Sequence, residues 1–152
     1  MYSNAPPYRS NRLIQLGFVL FLLGLIVGFA IPALSTPRMG LASHIQGIIN
    51  GIFLIVLGLV WSKFTLSARA STALFGLAVY GAFANWAATL LAAFWGAGRS
   101  MPIAAEGNVG TSMQEGIIDA LLISLSLAMI GVCVLALWGL RRSATRRVRS
   151  NT

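Results

Sequence analysis

The chain has 152 residues, 57% of them apolar and only 9% charged, with 11 Lys or Arg against 3 Asp or Glu and a formal net charge of +8. A water-soluble domain carries roughly 25% charged residues to cover its surface, so this composition argues against a soluble enzyme and makes lipid the economical partner of the apolar surface. The basic excess does not spread over a face: Arg141, Arg142, Arg146, Arg147 and Arg149 crowd the C-terminal end, which suits anionic lipid headgroups and argues against nucleic acid as a partner.

In chain order, a polar, proline-containing segment 1–12 precedes an apolar run 13–34, closed by Ser35, Thr36 and Pro37. That run is too long for the apolar region of a signal peptide and lacks an obvious cleavage site, so it reads as a retained span. A second run, 41–61, carries His44, Gln46 and Asn50 as its strongly polar residues; a third, 70–95, carries Asn85; a fourth, 116–140, carries Asp119. Each has about the 20 residues that cross a bilayer as a helix. Between the third and fourth, Gly98, Arg99, Pro102, Glu106, Gly107, Asn108 and Gly110 mark a loop. The runs are too long and too uniform for the alternating segments of a membrane β-barrel. These features predict a single all-α domain, 1–152, built as an integral membrane four-helix bundle. Cys133, the only cysteine, excludes an internal disulfide and reads as a small core residue.

Charge asymmetry sets a direction. Arg9 and Arg12 precede the first span, Lys63 and Arg69 lie between the second and third, and the tail follows the fourth. The other two connections carry only Arg38 and Arg99. Positive residues favour the cytoplasmic side, so both termini are expected there and the 96–112 loop outside. Trp61, Trp95 and Trp138 fall near span ends, where interface anchors sit, and Tyr80 reads as core or interface.

Polar residues inside a span are costly and are functional candidates by default. With the directions above, His44, Asn50, Asn85, Glu115 and Asp119 all fall in the outer half of the bilayer. One polar pocket among the second, third and fourth spans is the expectation. Each residue also has a structural reading. Glu115 is either solvated or placed to favour the positive end of the fourth helix. Asp119 is either protonated or paired with His44. Asn50 and Asn85 are either interhelical hydrogen-bond partners or direct ligand contacts. Gly47 and Gly51 form a GxxxG, with Gly58 one heptad later; this stripe admits either a close helix or a flat ligand.

His44 is the only histidine. With no cysteine or carboxylate cluster around it, a zinc site is excluded. One histidine does suffice as an axial ligand to haem, because the porphyrin fills four positions. It is equally able to serve as a hydrogen-bonding structural residue. No P-loop, no GxGxxG opening a helix and no Ser–His–Asp order is present, so catalysis here would lean on a cofactor and a small apolar substrate arriving through lipid.

The segment Pro37-Arg38-Met39-Gly40-Leu41-Ala42-Ser43-His44, followed by Gly47 and Asn50-Gly51, resembles the bacterial hydroxylaminobenzene mutases. Ala84-Asn85-Trp86-Ala87-Ala88-Thr89-Leu90-Leu91 with Trp95-Gly96-Ala97-Gly98 resembles their third helix, and Gln114-Glu115 with 121–128 their fourth. The more distant styrene oxide isomerases share the histidine-to-Asn-Gly spacing and the Ala-Asn pair. The resemblance implies a bacterial inner-membrane, multi-pass isomerase of nitroaromatic degradation, turning hydroxylaminobenzene-type arylhydroxylamines into 2-aminophenols. It further implies a trimer and haem b, with His44 as the iron ligand and Gly47 and Gly51 beside the cofactor. Asn50 and Asn85 would line the pocket. Proton handling by Glu115 or Asp119 is a separate expectation, which the resemblance does not supply. Where styrene oxide isomerases carry an aspartate and a tyrosine on the third helix, this chain has Gly81 and Thr89, which points away from an epoxide isomerase. A small transporter or assembly factor without enzymatic activity is the competing expectation.

Overall fold

A computed structural model of the protein describes residues 7–150, with side chains over 8–141. The helices are α1 (Pro7–Ala30), α2 (Pro37–Leu59), α3 (Ala68–Trp95), the single turn α4 (Pro102–Ala105) and α5 (Ser112–Ser150). Short 3-10 turns at Ile31–Ala33 and Trp61–Lys63 follow α1 and α2. Among the described residues there is no strand. Four stretches are long and apolar enough to cross a membrane: Tyr8–Ala33, Pro37–Leu59, Ala68–Trp95 and Ser112–Arg141.

The helices start earlier than hydropathy alone places them, and local chemistry explains each start. Pro7 and Pro37 open α1 and α2, where proline's missing N–H removes no helical bond. The polar first turns of α1 are tied to the other helices. The Arg9 guanidinium donates to Ser71 Oγ at 2.9 Å and Thr72 Oγ1 at 2.7 Å, and Ser10 Oγ donates to the Gly58 carbonyl at 2.8 Å. Ser67 caps α3 by accepting from the Ala70 N–H at 3.3 Å. Gly96, at φ +66°, ends α3 in the left-handed conformation that favours glycine. Thr111 and Gln114 form a reciprocal capping box at the start of α5, with N–H to side-chain bonds of 2.8 and 3.4 Å.

The four long helices pack in sequence order, α1 on α2, α2 on α3 and α3 on α5, while α5 makes at most marginal contact with α1 and α2. The expected bundle is thus an open row with two free edges. Leu13, Leu20, Leu54, Leu57, Leu74, Ala78 and Ala82 fill the core between α1, α2 and α3. Trp61 lies in this core at 3% exposure, edge-on to Phe64 and Phe75. Its ring is therefore packed within the protein and not turned outward as an interface anchor would be, whereas Trp138 is 46% exposed. Cys133 is exposed on α5, contrary to the core expectation, because α5 buries only the side turned to α3. The side chains of Arg142, Arg146, Arg147 and Arg149 lie outside those described.

Glycines decide how close α1 and α2 come. A Cβ on Gly47 would stand 2.5 Å from Gly24 Cα, one on Gly51 2.7 Å from the Gly17 carbonyl, and one on Gly58 2.9 Å from the Ser10 carbonyl. No side chain fits at such distances, so two backbones meet along this seam. The two readings left open for Gly47 and Gly51 divide here. Their face rests on α1, where a flat porphyrin was the other expectation.

Candidate active site

His44 is a half-buried residue of α2 facing α1. Its Nδ1 stands 2.8 Å from the Gly24 carbonyl of α1. A carbonyl only accepts, so Nδ1 carries the proton, and in the neutral ring Nε2 keeps its lone pair. The ring fits because residue 28 is glycine: a Cβ there would lie 2.8 Å from Nδ1 and 3.0 Å from Cε1. A backbone acceptor on one ring nitrogen is how proteins orient a histidine whose other nitrogen binds a metal.

On the other side of α2, three amides meet. Asn85 Nδ2 donates to Gln46 Oε1 at 3.0 Å, and Asn50 Nδ2 donates to the same oxygen at 3.5 Å. Gln46 and Asn50 are one turn apart and share a face; Asn85 reaches them from α3. Ser43 Oγ donates to the Trp86 carbonyl at 3.3 Å, and Thr89 Oγ1 bonds the Asn85 and Trp86 carbonyls at 3.1 and 3.0 Å. This network sets the turn of α3 that carries Asn85.

Glu115 and Asp119 form a third group. Glu115 is fully buried. Its Oε1 accepts from the Gly98 and Gly110 N–H groups at 3.1 and 2.8 Å, and its Oε2 from the Arg99 N–H at 3.0 Å. Asp119 pairs with the Arg99 guanidinium at 3.1 Å and accepts from Ser100 Oγ, so its partners are loop residues and not His44. It borders an open groove of about 550 Å³ with Ser100, Leu122, Ile123, Ser126 and Leu127. Beyond it, Tyr80, 44% exposed, bonds Ser124 Oγ through its hydroxyl at 2.6 Å. Among the described residues no group of three or more His, Cys, Asp or Glu could hold a metal ion.

The single outer pocket expected from depth therefore divides into three. Depth along each helix puts these residues at one level, but rotation about the axis separates the groups. His44 and Gln46 are two residues apart, about 200° around an α-helix. The Glu115 group faces the loop.

Comparison with known proteins decides the family. The styrene oxide isomerase family model matches residues 9–141. The chain belongs to the styrene oxide isomerase family. It is 59% identical to hydroxylaminobenzene mutase HabB of Ectopseudomonas oleovorans over 91% of this chain and 85% of that protein. It is 44% identical to hydroxylaminobenzene mutase HabA of the same organism, over 83% of this chain and 94% of the relative. No solved structure matches significantly. This family member is an isomerase, and the transporter or assembly-factor reading falls away.

In this isomerase, the contacts add Gly24, Gly28, Gln46, Arg99 and Ser100 to the expected site residues. Gly24 and Gly28 of α1 hold and accommodate His44; their spacing of four, with Gly17 seven residues earlier, is a small-residue stripe visible in the sequence. Gln46 was legible as the residue one turn before Asn50. Arg99 and Ser100, the partners of Asp119, carry no comparable signal.

Proposed function

We propose that this isomerase converts arylhydroxylamines of the hydroxylaminobenzene type to 2-aminophenols, moving the hydroxyl from nitrogen to the ortho carbon. Similarity to the two hydroxylaminobenzene mutases supports the substrate class, and the His44 arrangement supports the cofactor. Nδ1 bound to the Gly24 carbonyl leaves Nε2 as the lone-pair donor, so His44 is the residue that would hold the iron of haem b. Haem bound there supplies a Lewis-acid position for the hydroxylamine oxygen, with no net redox change. Gly28 keeps the ring seated, and Gly24 sets its tautomer. Asn50 and Asn85 offer hydrogen bonds to the substrate's polar end, and the apolar helix surfaces admit its ring from lipid. Asp119, the half-exposed carboxyl group in the groove, is the candidate for proton handling. Glu115 is bound by three backbone N–H groups and serves as the clamp of the outer loop.

The test is direct. Detergent-purified protein given hydroxylaminobenzene is expected to yield 2-aminophenol by chromatography and to show a Soret band. No product sinks the reading. Product from a colourless protein sinks the haem part alone. Styrene oxide offered in parallel is expected to remain unchanged, since Gly81 and Thr89 lack the carboxylate and phenol of the epoxide enzymes.

The same proposal places both termini on the cytoplasmic side of a bacterial inner membrane and the active form in a homo-oligomer, a trimer by family. One chain turns His44 to the α1 side of α2 and the amides to the α3 side. Its two free edges suit a head-to-tail ring in which neighbouring chains complete the site. Mixing inactive His44→Ala and Asn85→Ala chains during refolding is expected to restore part of the activity. No recovery in mixed oligomers rules out a shared site.

A further inference from the structure

The amide cluster carries more than a place for Asn50 and Asn85. Gln46 Oε1 takes one N–H from each: Asn85 at 3.0 Å and Asn50 at 3.5 Å. An asparagine amide has a donor end and an acceptor end. With both donor ends turned to Gln46, both acceptor ends are turned elsewhere. Among the described residues, neither Asn Oδ1 and not Gln46 Nε2 has a hydrogen-bond partner. Nor are these atoms sealed: the side-chain polar atoms that are both buried and unpartnered are Thr36 Oγ1 and Trp86 Nε1. Three reachable polar atoms, two accepting and one donating, therefore lie within an apolar layer where unmatched polar groups are costly.

We propose that Gln46 is the positioning residue that sets the hydrogen-bond polarity of this site, so that it selects ligands that donate hydrogen bonds. The inference rests on the arylhydroxylamine reading and names how that substrate class is chosen. Hydroxylaminobenzene offers an N–H and an O–H to the two Asn carbonyls and an oxygen to the Gln46 amide. Its product, 2-aminophenol, likewise carries donors on both substituents. An epoxide has one accepting oxygen and no donor, so it leaves both carbonyls unmatched. A site built to bond donor groups rejects an analogue that lacks them.

Calorimetric binding to the purified full-length protein tests this, with 2-aminophenol as the donating ligand and styrene oxide as the accepting one. Turnover is not needed, so a protein that fails as a mutase still reports on Gln46. Gln46→Met keeps length and loses both the acceptor that orients the two asparagines and the Nε2 donor; it is expected to weaken 2-aminophenol about tenfold and styrene oxide, which loses the single Nε2 hydrogen bond, no more than about threefold. Gln46→Glu keeps an acceptor oxygen and is expected to hold 2-aminophenol within about threefold of the parent. Equal weakening of both ligands in Gln46→Met indicates a structural role and overturns the proposal, as does no weakening of 2-aminophenol. If Gln46→Met does not fold, Gln46→Glu decides: retained 2-aminophenol binding supports the proposal. A tenfold loss in Gln46→Glu means that Gln46 donates to the asparagines, which reverses the polarity and overturns it.

Discussion

His44→Ala is expected to abolish conversion of hydroxylaminobenzene, by at least about a hundredfold, and to remove the Soret band of the purified protein. The fold should survive. His44 makes one side-chain hydrogen bond, to the Gly24 carbonyl, and a net hydrogen bond contributes about 0.5–1.5 kcal/mol. That carbonyl keeps its second lone pair for the helix, so no orphan is left. Loss of colour and turnover at an unchanged melting temperature identifies a ligand. Gly28→Ala provides the sharper control. Its methyl would stand 2.8 Å from Nδ1 and push the ring aside without removing it. Displaced metal ligands and their supports typically cost about 10–100-fold, and that is the expected loss. Full turnover in His44→Ala would sink the assignment whatever the spectrum shows.

Glu115→Ala is expected to be the most destabilising single change in the outer loop. The side chain is fully buried and satisfies the N–H groups of Gly98, Arg99 and Gly110. Each buried N–H left without an acceptor costs about 1–3 kcal/mol. Water will reach some of them at the loop surface, so a total of about 3–5 kcal/mol is expected. Glu115→Gln has a more specific consequence. One accepting oxygen becomes an NH2 group, and it must face at least one backbone N–H, at a cost of about 1–3 kcal/mol. Thermal unfolding in detergent and amide exchange at Gly98, Arg99 and Gly110 measure both. Activity per folded molecule should persist, because the carboxylate is engaged by the loop. A Glu115→Gln protein of full stability but no turnover would restore Glu115 to the chemistry.

These two residues show how differently the site was written into the chain. His44 stood out because it is the single histidine within an apolar run, and the price of polarity in lipid made it a candidate from composition alone. Its neighbours Gly24 and Gly28 did not, because a glycine says only that space is scarce, not what fills it. Glu115 and Asp119 are both acidic, four apart and on one helix face, so in sequence only depth sets their readings apart. Their roles separate only when the loop folds back. Glu115 then receives three backbone donors, while Asp119 stays half exposed with Arg99 and Ser100. Depth could be counted along each helix at a fixed rise. Rotation could be counted too, but which neighbour occupies which side could not, and that separated His44 from Asn85.

By itself the sequence determined that this protein is helical and membrane-spanning. Four apolar runs of sufficient length leave the backbone no other way to satisfy its hydrogen bonds in lipid. It also determined the family and, with it, the isomerase activity, because motif order and spacing survive in the chain itself. The tertiary structure decided which side of α2 meets which partner. It set two backbones in contact at the glycines, fixed the tautomer of His44 through a carbonyl twenty residues away in sequence, and gathered Asn50 and Asn85 on Gln46. The physical reason is that lipid rewards apolar surface without regard to its partner, whereas polar atoms within it must find particular mates. Those pairings form across helices, where no local pattern records them.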